Sequence, residues 1–149
     1  MKTADSIKDI IFEQINGYLS LLDILRREKE CLINFDAAAV EHISKEKDTA
    51  VLRLRLLEEE RIRLASRLGR DKKIEGDISL QKIYELTGDT DFQMLRLQMI
   101  SLTQGISEIN QFNRILIEHS MHFVRNAANF LGSFGLKGLE RGAVLSREA

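Results

Sequence analysis

The chain has 149 residues, of which 44% are hydrophobic and 30% are charged, with no proline, no tryptophan and a net charge of −1. This composition supports a hydrophobic core, and the absence of proline favours uninterrupted helices over a β-rich fold. The charge balance excludes a general attraction to nucleic acid or an anionic membrane, and no apolar run approaches the roughly 20 residues of a membrane span. A single cysteine, Cys31, and a start without the apolar run of a signal peptide lead us to expect a cytoplasmic protein.

The first predicted helix begins between Thr3 and Ser6, where several side chains can cap it. Seam residues then recur at alternating spacings of three and four, the pattern of a helix with one buried face. The seam consists of Ile11, Ile15, Tyr18, Leu22, Leu25, Lys29 and Leu32.

A second helix follows the turn at residues 34–36, with Asp36 as its predicted N-cap and Gly69 as its predicted end. Lys47 and Arg61 fall within its otherwise apolar seam and leave the register around them open. Because the two helices have similar lengths and a short turn, we expect an antiparallel hairpin. The seam of the second helix consists of Val40, Ile43, Lys47, Ala50, Leu54, Leu57, Arg61, Leu64 and Leu68.

A short helix is predicted over residues 78–86, capped by Asp77, and a long last helix runs from Asp91 to Leu131. Asn113 lies in the seam of this last helix, and one buried asparagine can set the register of packed helices. The seam consists of Phe92, Leu95, Met99, Leu102, Ile106, Ile109, Asn113, Leu116, Ser120, Phe123, Ala127 and Phe130. The elements predict an all-α fold, in which a long antiparallel hairpin and a third long helix form a three-helix, coiled-coil-like bundle with one short connecting helix. We assign residues 1–131 to this single domain and the glycine-rich residues 132–149 to a flexible C-terminal tail.

The sequence contains no arrangement typical of an enzyme. Glu118, His119 and His122 lack the spacing of the zinc and di-iron helix motifs. The basic cluster at residues 61–73 has no interleaved aromatic residues, so we predict no nucleic-acid partner. We also predict no catalytic residues, no metal and no cofactor.

The last helix carries more apolar surface after Asn110 than one packing face requires. The short helix, the tail folded back, or a partner protein can cover the excess. We predict a partner-binding surface made of Ile117, Met121, Val124, Ala128, Phe130, Leu131, Phe134, Leu136 and Leu139.

Two segments resemble the FlgN family of flagellar type III export chaperones. The first is residues 21–30, Leu-Leu-Asp-Ile-Leu-Arg-Arg-Glu-Lys-Glu, together with the turn at 34–36 and the Glu-Lys pair at 46–47. The second is residues 108–121, with an Asn-x-x-Asn-Arg-x-Leu pattern. The residues of that pattern are Asn110, Asn113, Arg114 and Leu116.

The resemblance implies a cytoplasmic, non-enzymatic chaperone that binds the C-terminal helical segments of flagellar hook-associated proteins. Such a chaperone prevents premature assembly at the hook–filament junction and delivers its partners to a component of the export gate. Binding through the C-terminal part of the chain is implied as well. A self-associating structural coiled-coil scaffold remains the alternative, and we expect the free protein to be a monomer or a weak homo-oligomer without membrane insertion.

Overall fold

The computed structural model describes residues 2–133, which contain four helices and no strand. The helices are α1 (Lys2–Ile33), α2 (Ala37–Asp71), α3 (Leu80–Thr87) and α4 (Thr90–Leu131). The all-α prediction of a long hairpin, a short connecting helix and a third long helix is confirmed. Residues 134–149 of the predicted tail lie outside the described residues.

Helix α4 takes part in two compact units, one that ends at Asn113 and one that begins at Arg114. The first unit contains the hairpin, α3 and the part of α4 up to Asn113, and the second contains the rest of α4. The assignment of a single domain to residues 1–131 stays a prediction.

The turn between α1 and α2 is closed by local polar contacts. The Asp36 carboxylate accepts a hydrogen bond from the Ala39 amide at 3.1 Å, which confirms the predicted N-cap of α2. Phe35 adopts a left-handed backbone conformation with φ of 54°, and the Asp36 amide donates to the Cys31 carbonyl at 3.0 Å. The chain therefore reverses within three residues, and α1 and α2 pack along their lengths.

Two predicted helix boundaries are wrong. Gly69 does not end α2, which continues to Asp71. Gly69 is buried against Ile78, and a Cβ atom at this position would lie only 2.5 Å from the Ile78 Cδ1 atom. Asp77 does not cap α3 either, since the Ser79 hydroxyl accepts the capping hydrogen bond from the Lys82 amide. The 72–79 connection packs back onto α2 at Gly69, whose carbonyl accepts a hydrogen bond from the Ile74 amide at 2.8 Å.

The core of the first unit lies between the hairpin and the two later helices. The predicted seams of α1 and α2, and that of α4 up to Asn113, are confirmed because every position is buried or half-buried. Beyond Asn113 the predicted α4 seam is wrong at Phe123 and Phe130, which are exposed; the described part of the second unit contains no other helix. One cluster gathers residues of all four helices around Phe92, and a smaller one joins Leu21, Leu25 and Leu54. The buried members of the larger cluster are Ala4, Ile7, Ile11, Ile15, Leu64, Ala65, Leu68, Ile78, Ile83, Phe92 and Leu95.

Arg61 remains in the α2 seam because a carboxylate pairs with it at the edge of this core. Its Nε atom donates to Glu58 at 2.9 Å, and the buried Gln14 amide of α1 donates to the same Glu58 oxygen at 2.7 Å. The hydrogen bond from Arg61, followed by that from Gln14, lowers the pKa of Glu58 below its ordinary value of 4.5. The stability that Glu58 contributes is therefore present above pH 4.5 and is lost as the pH falls through its lower folded-state pKa.

We expect Glu58→Gln to lower the free energy of unfolding at neutral pH, and we expect the difference from the unsubstituted chain to shrink below pH 4.5. Urea unfolding at a series of pH values measures this difference. Glu59→Gln is the matched control, because Glu59 is an exposed neighbour on the same helix. A deficit that stays constant as the pH falls would contradict the ionic contribution of Glu58.

Candidate partner-binding site

Four polar side chains meet inside the first unit, and we call this group the polar junction: Glu28, Lys47, Asn110 and Asn113. Asn113 is 1% exposed, and its Nδ2 atom donates to the Leu25 carbonyl at 2.9 Å and to Glu28 Oε1 at 2.8 Å. Lys47 Nζ donates to both Glu28 carboxylate oxygens and to Asn110 Oδ1, each at 3.3 Å. One buried carboxylate thus receives hydrogen bonds from α2 and α4.

The polar junction sets how three helices align along their axes. A shift of α4 by one turn, about 5.4 Å, would move Asn113 away from Glu28 and leave a buried carboxylate short of donors. Apolar contacts tolerate such a shift far better because they are not directional. The predicted role of Asn113 in helix register agrees with this geometry.

The second unit presents a surface of a different kind, which we call the distal face: Ile117, Met121, Val124, Ala128 and Leu131. These residues follow one another at spacings of four, three, four and three, so they share one side of α4. Val124 is 64% exposed, Met121 59% and Leu131 55%. An apolar stripe of this length with so much exposed side-chain area is typical of a binding surface rather than of an ordinary solvated helix.

The family model for the FlgN protein matches residues 1–134. The chain belongs to the FlgN family. Membership of this family indicates a flagellar export chaperone, and the family is one of chaperones rather than of enzymes. Comparisons with curated proteins and with solved structures give no match.

The FlgN-like motif residues occupy different environments in this chain. Asn113 is buried and Asn110 half-buried in the polar junction, whereas Arg114 is exposed and Leu116 is half-buried in the second unit. The two asparagines therefore contribute to helix packing within the first unit. Lys29 adds a further contact near them, with its Nζ atom 5.0 Å from the centre of the Phe112 ring.

Five of the residues predicted to bind the partner protein form the distal face. Phe130 is also exposed but lies on a neighbouring side of α4, with Phe123 seven residues before it. Phe134, Leu136 and Leu139 lie outside the described residues. The binding role of all these residues stays a prediction.

Sequence reasoning missed two buried polar residues, Glu28 and Gln14. Glu28 stands within the charged run at residues 26–30 and has no local mark that separates it from its exposed neighbours. The one available signal is that Glu28 lies three residues after Leu25, on the edge of the apolar seam.

The two histidines at the start of the second unit lie one turn apart on α4. His119 and His122 are exposed, and the His122 ring lies 3.2 Å from the Asn126 amide. Across residues 2–133, no group of three His, Cys, Asp or Glu side chains is placed to hold a metal ion. Over the same residues, no helix has the combination of length and hydropathy needed to cross a membrane.

Proposed function

We propose that this chain is a cytoplasmic export chaperone that binds the C-terminal helical segments of flagellar hook-associated proteins, prevents their premature assembly and delivers them to the flagellar type III export gate. Membership of the FlgN family supports the chaperone role. The observation that carries the proposed binding site is the exposed distal face of α4.

The partner segment binds as an amphipathic helix laid along the distal face. Apolar residues of such a helix recur at three and four positions, which matches the spacing from Ile117 to Leu131. Complete burial of one large apolar side chain contributes about 1.5–3 kcal/mol, and part of this total is offset by the entropy lost on association. A flexible thioether at Met121 allows the surface to fit more than one partner sequence.

The C-terminal residues after α4 are also part of the proposed binding surface. Phe134, Leu136 and Leu139 are large and apolar, and we propose that they contact the same partner helix from its other side. We propose that their contribution is smaller than that of the distal face. The complex is then stable enough to shield the partner and weak enough to release it to a component of the export gate.

Calorimetric titration tests the proposed function directly. The titrant is the C-terminal segment of a hook-associated protein from the same organism, and the two proteins are the full chain and a chain that ends at Leu131. We expect saturable one-to-one binding to the full chain and weaker binding to the shortened chain, since Phe134, Leu136 and Leu139 are lost.

A peptide of the same composition and scrambled order is the control for non-specific apolar binding. No binding of the native segment to either protein would contradict the proposal. Equal binding by both proteins would confine the site to residues before 132 and remove the C-terminal residues from it.

A further inference from the structure

The edges of the distal face carry charges that suit a second copy of the same helix. Glu118 follows Ile117 and Arg125 follows Val124, so both stand on one edge of the face, seven residues or about 10.5 Å apart. Ser120 and Ala127 occupy the opposite edge, where small side chains allow another helix to approach closely. Glu118 and Arg125 are exposed.

We propose that in the free protein the distal face is covered by the distal face of a second copy of this chain, in an antiparallel pair that the export partner must displace. This inference rests on the proposed function, because it concerns how the same face is buried when the export partner is absent. Charge complementarity and the spacing of the apolar residues both favour a second copy of the chain on the distal face.

One antiparallel register brings together four of the five apolar positions, the charged positions and the small positions, and it places Leu131 opposite Arg114. When two copies are centred between Met121 and Val124, Met121 of each copy faces Val124 of the other, and Ile117 faces Ala128. In this register Glu118 of each copy lies beside Arg125 of the other, so two Glu–Arg ion pairs form between the two helices. The small residues Ser120 and Ala127 face each other on the remaining edge.

A parallel pair lacks this complementarity. Residues of the Glu118 edge would then face the opposite edge of the other copy, which within residues 114–131 holds Ser120 and Ala127 and no charged residue. Because charges at the edges of paired helices determine orientation and partner choice, the antiparallel arrangement is favoured.

The proposed pair is weak by its size. Four paired apolar residues on each side fall well below the roughly 20–30 residues per side of a stable interface. Because the dimer is weak, its dissociation adds only a small free-energy cost to partner binding. A partner with a longer matching helix can therefore displace the second copy.

Sedimentation velocity of the full chain, from micromolar to millimolar concentration, tests the pair. We expect the mass to rise from that of a monomer toward that of a dimer. Glu118→Arg alone and Arg125→Glu alone should each weaken association by about tenfold, because two attractive contacts become repulsive. The combined variant E118R/R125E should recover most of the association, since the charges are exchanged and remain complementary.

Glu108→Arg is the matched control, because Glu108 is an exposed residue of α4 in the first unit and the substitution changes net charge equally. A monomer at every concentration, or no effect of either single charge reversal, would overturn the inference. Calorimetric titration with the hook-associated segment measures partner binding independently of dimer formation. Partner binding without a dimer would overturn only the antiparallel pair, whereas a dimer without partner binding would overturn only the proposed function.

Discussion

The triple variant in which Met121, Val124 and Leu131 are each replaced by Asp is expected to lose binding of the hook-associated segment without loss of helix content. The three side chains are exposed in the free chain, so the carboxylates remain hydrated until a partner approaches. A partner helix would then have to desolvate three unpaired charges, which costs more than the lost apolar burial. Calorimetric titration measures the binding, and far-UV circular dichroism measures the helix content.

The first unit offers a control set of three exposed, large apolar residues. Met94, Leu97 and Ile100 are exposed residues of the same helix, and their substitution by Asp adds the same charge. We expect this control to bind the segment as tightly as the unsubstituted chain. Retained binding by the triple variant of the distal face would refute that face as the site.

Lys47→Met is expected to lower the free energy of unfolding by about 2–4 kcal/mol, since loss of one partner of a buried ion pair leaves the other charge uncompensated. Glu28 is almost completely buried, and without Lys47 its carboxylate keeps, among the described residues, only the hydrogen bond from Asn113. Lys47 itself is partly exposed, so the expected cost lies toward the lower side of the range for fully buried pairs. Urea unfolding followed by circular dichroism measures the change.

Lys45→Met is the control on the same helix, because Lys45 is exposed and its contact with Glu41 is 4.0 Å long. We expect this control to change the free energy of unfolding by less than about 0.5 kcal/mol. In the double variant E28Q/K47M the buried group is neutral, so much of the loss should be recovered. A Lys47→Met protein as stable as the Lys45→Met protein would show that the polar junction does not depend on its charge pair.

The polar junction also separates two roles that the FlgN-like motif combines in sequence. Asn110 and Asn113 pack within the first unit, and the apolar residues that follow them in sequence form the distal face. The two asparagines of the motif therefore contribute to helix alignment. The proposed binding residues have no sequence pattern more specific than their heptad spacing. This explains why the motif suggested the family and did not identify individual partner contacts.

Helix periodicity and capping chemistry were sufficient to predict the hairpin, the third long helix and the seams up to Asn113. These features depend on residues that are near one another along the chain, such as Asp36 and Ala39. Local chemistry also suggested the apolar excess after Asn110, because the number of apolar residues on one helix can be counted without knowing its neighbours.

The remaining features required the tertiary structure, because they depend on residues distant in sequence. Glu28 is buried by Lys47, 19 residues away, and by Asn113, 85 residues away. Gly69 resembled a helix end, yet its lack of a side chain is needed for the approach of Ile78. A glycine, a glutamate or a glutamine has the same local preferences in either environment, and only the packing of other segments against it decides which environment it occupies.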